Sequence, residues 1–111
     1  IHFIVLAGFL LKLPSRLVSS YDKKIINLHP SLLPKFGGKG MYGDNVHLKV
    51  LSSDEKKTGI TIHYVNEEYD SGDIIFQKEI ELSDVDSLQT LREKIREVEY
   101  YYFPRIIKSL L

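Results

Sequence analysis

Asn27 and His29 stand two residues apart at the end of the apolar run Ile25-Ile26-Asn27-Leu28-His29. In a β-strand such residues leave the same face, so an amide and an imidazole would converge on one point. An amide N–H can donate to a developing oxyanion. An imidazole can transfer a proton near neutral pH. Pro30 restricts His29 to an extended backbone and helps hold the pair. An arbitrary Asn-x-His is more often a satisfied turn residue beside a half-buried histidine. Here the pair opens the longer string Asn27-Leu28-His29-Pro30-Ser31-Leu32-Leu33-Pro34. The other histidines, His2, His47 and His63, make no His-x-x-x-His or similar ligand pair, so no catalytic metal is predicted. His63 is expected on a strand beneath the site, and His47 on a helix in a packing or tethering role.

The elements that must position these residues alternate between strands and helices. Ile1 to Leu6 is a nearly continuous apolar run, as in a strand buried on both faces. Pro14 to Ser20 suits a short helix with proline in its first turn, and Lys24 to Leu28 a second strand. His29 to Gly43 has loop composition, and long ordered loops tend to be functional. Asp44 is expected to cap a helix running to about Ser52. Thr58 to Val65 alternates as a strand, with Ile60, Ile62 and Tyr64 on one face and Thr61, His63 and Val65 on the other. Asn66 to Gly72 is an acidic loop, and Asp73 to Leu82 another strand. Asp86 and Gln89 form a capping-box variant ahead of Leu88, Leu91, Ile95, Val98 and Tyr102, which recur at helical steps. Pro104 predicts a kink or break near Tyr102 or Phe103, with Ile106, Ile107 and Leu110 continuing the core face. The pattern is that of an α/β layer fold, whose ligands bind outside the carboxyl ends of the strands.

Composition excludes several functions. The chain has 111 residues, enough for one small domain. The 15 basic and 15 acidic residues cancel, so no global field recruits nucleic acid or an acidic membrane. The one basic cluster, Lys23, Lys24, Lys35 and Lys39, reads as a solvated face. With no cysteine, disulfides and thiolate catalysis are out, which fits a reducing compartment. No apolar run is long enough to span a membrane, and the first residues show no signal-peptide pattern. A cytoplasmic location is expected. No internal repeat or low-complexity stretch is visible.

The string from Asn27 to Pro34 resembles the signature of the folate-dependent formyltransferases. A second segment agrees: Thr58-Gly59-Ile60-Thr61-Ile62-His63-Tyr64-Val65, followed by Tyr69-Asp70-Ser71-Gly72-Asp73-Ile74-Ile75. A third, Leu6-Ala7-Gly8-Phe9-Leu10, resembles the strand and loop ahead of the Asn-x-His motif. The resemblance runs over essentially the whole chain, in order. It implies a Rossmann-like formyltransferase fold, here the C-terminal part of a mostly parallel sheet with flanking helices and a long C-terminal helix. Residues 1–111 would form a single formyltransferase domain lacking its N-terminal phosphate-binding part. The abrupt start inside an apparent strand, with no initiator Met, gives the same expectation.

The resemblance also implies roles. Asn27 and His29 would be catalytic, with Asp70 delivered to His29 by the loop after the second motif. Folate would be held largely by backbone groups of Leu10, Leu11, Lys12 and Leu13 and of Asn66, Glu67, Glu68, Tyr69 and Asp70. Leu11 and Lys12 depart from the basic-then-apolar order common in the family. Within the family, the glycinamide ribonucleotide enzymes are the most similar. Pro30 stands where deformylases usually have a second His, His63 where methionyl-tRNA formyltransferases tend to have Met, and Glu99-Tyr100-Tyr101-Tyr102-Phe103-Pro104 is similar to their helix segment. Glu99, whose family counterpart binds the substrate ribose, and Arg96 are thus substrate-binding candidates. Glu99 alone would read as an exposed helix carboxylate.

The activity implied is transfer of a formyl group from the cosubstrate 10-formyltetrahydrofolate to the amine of the small-molecule substrate glycinamide ribonucleotide, in purine biosynthesis. Neither metal, nucleic acid nor membrane is expected to take part. The alternatives are a methionyl-tRNA formyltransferase or formyltetrahydrofolate deformylase fragment, a catalytically silent folate-binding module, or a purely structural α/β domain.

Overall fold

The structure, a computed structural model, describes residues 4–7 (backbone path only), 25–65 and 72–110. Four strands and two helices follow in the order β1 (Ile4–Ala7), β2 (Ile25–His29), α1 (Asp44–Leu51), β3 (Lys57–Tyr64), β4 (Ile74–Glu81) and α2 (Leu88–Leu110). The strands form one sheet in the order β1-β2-β3-β4. The expected strands are present to within a residue or two at each described end. The helix expected at Pro14 to Ser20 lies outside the described residues.

Among the described residues the sheet is mixed. β1 and β2 are parallel, but β2–β3 and β3–β4 are antiparallel. The short connection between β3 and β4 dictates the last pairing, because parallel strands need a crossover of a dozen residues or more. One sheet face carries Leu28, Ile60 and Ile62, which pack with Val46 and Val50 of α1 and Leu91 and Ile95 of α2 into the core. Burying one such aliphatic side chain contributes roughly 1.5–3 kcal/mol. Phe76 of β4 and Tyr102 of α2 extend this layer, their rings 5.0 Å apart. The opposite face carries Asn27, His29, Thr61, His63 and Gln77, as the registers Asn27↔His63, His29↔Thr61 and Thr61↔Gln77 require.

Both helix starts differ from expectation. Asp44 is the first helical residue of α1 rather than its cap. The cap position is Gly43, at φ 52° and ψ −132°, with no side-chain capping bond. Only glycine visits that region freely. Asp44 instead turns outward to Arg92 of α2, accepting bonds from Nε at 3.2 Å and Nη2 at 2.8 Å. At α2 the reciprocal box is made by Ser87 and Thr90, not Asp86 and Gln89. The Thr90 N–H donates to Ser87 Oγ at 3.2 Å, and the Ser87 N–H to Thr90 Oγ1 at 2.8 Å. Asp86 supports the turn from outside, accepting from the Ser83 N–H, Thr90 Oγ1 and Lys94 Nζ. The Lys94 ammonium, then the Ser83 amide, hold its carboxyl below the usual range.

No break occurs at Pro104: α2 runs through it to Leu110. Proline removes one N–H from the helical ladder. The apolar face of Val98, Tyr102, Phe103 and Ile106, packed against the core, continues across it. Among the described residues no helix is long and apolar enough to cross a membrane.

Candidate active site

β2 presents Asn27 and His29 on one face, as the strand period requires, and both are buried. Asn27 lies opposite His63 of β3, and its Nδ2 is 3.3 Å from His63 Nε2. His63 Nδ1 lies 2.9 Å from the Tyr64 carbonyl. A carbonyl only accepts, so Nδ1 carries the proton. In neutral His63 the Nε2 lone pair then accepts from Asn27 Nδ2. Asn27 Oδ1 is buried with no hydrogen-bond partner among the described residues.

His29 Nε2 donates to the Phe36 carbonyl at 2.8 Å. Phe36 sits at φ 58°, a left-handed conformation that side-chain-bearing residues adopt at a cost of order 1–3 kcal/mol. Its ring packs against the core, which holds it there. The loop between them is tied to β3. Thr61 Oγ1 donates to the Ser31 carbonyl at 2.7 Å and accepts from the Leu33 N–H at 3.0 Å. Gln77 Nε2 donates to both Thr61 Oγ1 and the Leu33 carbonyl, at 2.9 and 3.0 Å. Ser31 Oγ donates to the Lys35 carbonyl at 2.6 Å. Apart from the cluster at His63, these bonds fix the path of the chain leaving His29.

A cavity of about 280 Å³ opens beside Pro30, where β2 ends. Arg92, Ile95, Arg96 and Glu99 of α2 line it together with Asp44 and His47 of α1. Asn27 and His29 are not on its wall; Pro30, next in the chain to His29, is. Burial raises the Glu99 carboxyl above its ordinary value, and the Arg96 guanidinium opposes that in part. Burial lowers His47, which favours its neutral form. The Arg92 guanidinium holds the Asp44 carboxyl below its usual range.

Glu99 and Arg96, expected to bind substrate, thus share one cavity wall. Asp70, Leu10, Leu11, Lys12, Leu13, Asn66, Glu67, Glu68 and Tyr69 lie outside the described residues, as does His2. Sequence reasoning missed Asp44 and Arg92 as cavity residues. The signal was available: Arg92, Arg96 and Glu99 recur at helical steps on one face of α2. Among the described residues no three His, Cys, Asp or Glu side chains are grouped to hold a metal ion.

Comparison with known proteins places this geometry. The chain is 41% identical over 111 residues to the phosphoribosylglycinamide formyltransferase of Bacillus subtilis, covering 100% of this chain and 54% of that protein. It is 40% identical over 110 residues to the chloroplastic phosphoribosylglycinamide formyltransferase of Arabidopsis thaliana, covering 99% of this chain and 38% of that one. The crystal structure of phosphoribosylglycinamide formyltransferase from Bacillus halodurans superposes with a TM-score of 0.90 at 39% identity, over 100% of this chain and 55% of the other. The fold is therefore the Rossmann-like one of those enzymes, and the chain spans about half the length, or less, of the curated relatives it matches. The formyl transferase family model matches residues 1–107, and the chain belongs to the formyl transferase family.

Proposed function

We propose that the protein transfers the formyl group of 10-formyltetrahydrofolate to the amine of glycinamide ribonucleotide. The observation that carries this reading is the buried Asn27–His29 pair at the carboxyl end of β2; a cavity walled by Arg96 and Glu99 opens at the next residue, Pro30. The names of the similar proteins support the acceptor, and the family supports the folate donor.

Attack of a primary amine on a formyl carbon forms a C–N bond and puts negative charge on the formyl oxygen. Asn27 Nδ2 has two hydrogens and gives one to His63, so the second is the donor for the oxyanion. The imidazolium of His29, its Nε2–H donated to the Phe36 carbonyl, would bring positive charge to the same face of the sheet. Asp70 would orient His29 and favour its charged form. Collapse of the intermediate breaks the bond from carbon to the folate nitrogen. The proton lost by the amine reaches that nitrogen through His29 or a water held by Asp70. Backbone groups of residues 10–13 and 66–70 would hold the folate. Glu99, as a carboxylate, would accept hydrogen bonds from ribose hydroxyls, with Arg96 beside it. A cytoplasmic, metal-free enzyme fits this chemistry.

The test is a formyl-transfer assay on the full natural protein with three acceptors: glycinamide ribonucleotide, initiator methionyl-tRNA and water. Turnover on the first alone is expected. Turnover only on the second or third would replace the acceptor, and folate binding with no transfer would leave a silent binding module.

A further inference from the structure

Asn27 can serve an oxyanion only if its amide points the right way. The two ends of a carboxamide have the same shape, so something must distinguish them. On this face of the sheet that task falls to the residue paired with Asn27 across β2 and β3, His63.

We infer that His63 is a positioning residue that sets the polarity of the Asn27 amide. The inference rests on the formyl-transfer reading for its kinetic consequence, but not for its structural content. The register of β3 against β4 is irregular between Ile62 and His63, a feature that re-aims a side chain next to a site. The imidazole then bridges two groups. Nδ1 faces the carbonyl of Tyr64 at 2.9 Å, which can only accept. That fixes the Nδ1–H tautomer and leaves a lone pair on Nε2. At 3.3 Å from that lone pair, only the NH2 end of Asn27 is acceptable. Turning the amide over would set Oδ1 against the lone pair, acceptor against acceptor. The observed orientation is kept although it leaves Oδ1 buried without a partner among the described residues. A buried carbonyl left unpaired is costly, so this orientation is set by the contact with His63 and not by the comfort of Oδ1. His63 itself need touch neither substrate nor folate.

The replacements separate this role from packing. Gln at position 63 can offer an amide oxygen where Nε2 lies; Leu fills space and offers none. In the full natural protein, His63→Gln is expected to keep kcat within a few fold. His63→Leu should lower it on the order of tenfold to a hundredfold with KM little changed, as for misplacement of a group used in the transition state. Equal kcat in His63→Gln, His63→Leu and wild type would overturn the inference. So would an equal loss in both variants with both folded. A second readout is independent of activity. Nitrogen NMR of the imidazole in the wild-type protein should show His63 protonated on Nδ1 and bare on Nε2; the opposite tautomer overturns the assignment even if both variants fail to fold. A wild-type protein with the expected tautomer but no formyl transfer would sink the functional reading and leave the amide polarity standing.

Discussion

Thr61 Oγ1 donates to the Ser31 carbonyl at 2.7 Å and in the same position accepts from the Leu33 N–H. One hydroxyl on β3 therefore holds both ends of the first turn after His29. Thr61→Val removes the donor and acceptor while keeping the shape. It leaves the Ser31 carbonyl and the Leu33 N–H unpaired in a buried place, at roughly 1–3 kcal/mol each. The expected destabilisation is about 2–6 kcal/mol in total. Thr61→Ser keeps the hydroxyl and loses a methyl, for about 1 kcal/mol. Urea midpoints of the two variants check this: equal shifts would show that the hydroxyl holds nothing.

Gly59 of β3 pairs with Glu79 of β4. A Cβ built on it would collide with the Lys78 carbonyl oxygen and come within 2.9 Å of Leu32 Cδ2. Leu32 can turn aside; the β4 backbone cannot without disturbing the ladder. Gly59→Ala should therefore cost about 1–3 kcal/mol or more. Adding Leu32→Ala should not restore the urea midpoint, because the obstacle is main chain. Recovery in the double variant would locate the conflict in the side chain instead.

Asn27 and His29 were legible in the sequence because strand alternation is local: once Ile25 to His29 is a strand, the two must share a face. The helical steps from Leu88 to Tyr102 gave α2 for the same reason. What local pattern could not supply was direction and partnership. β3 and β4 look alike whether they run parallel or antiparallel, since only the connection and the register decide. Asp86 and Gln89 read as the capping box in the sequence because they, like Ser87 and Thr90, carry capping groups; the bonds formed are those of Ser87 and Thr90. Pro104 reads as a breaker until Tyr102, Phe103 and Ile106 are seen packed on both sides of it. His63 looked like a residue beneath the site; its bearing on Asn27 depends on a pairing across 36 residues of chain.

The catalytic assignment predicts separable losses. Asn27→Ala removes an oxyanion donor, for a fall in kcat on the order of 10²–10³. His29→Ala removes a proton carrier, for roughly 10²–10⁴. Asp70→Asn should lower kcat while the folding midpoint stays in place. Near-wild-type turnover by His29→Ala, measured in the full natural protein, would sink the mechanism.

Glu99 supplies a pH dependence of defined sign. Burial holds its folded-state pKa above the ordinary carboxylate value. Below that ordinary value the folded and unfolded chains are both protonated, and Glu99 has no effect on stability. As pH rises from there through the raised value, the unfolded chain releases its proton first, so this group lowers stability across that window and then levels off. Glu99→Gln cannot ionise. Relative to their acid baselines, the variant should be more stable than wild type at neutral pH, by thermal or urea unfolding at each pH. Substrate binding should show the complementary effect. If Glu99 accepts hydrogen bonds from ribose hydroxyls as a carboxylate, affinity for glycinamide ribonucleotide weakens as pH falls through the raised value. In Glu99→Gln the affinity should be lower at neutral pH and flat across the same window. Titration calorimetry on both proteins decides it: wild-type affinity in the variant, with the same pH profile, would remove Glu99 from the substrate site.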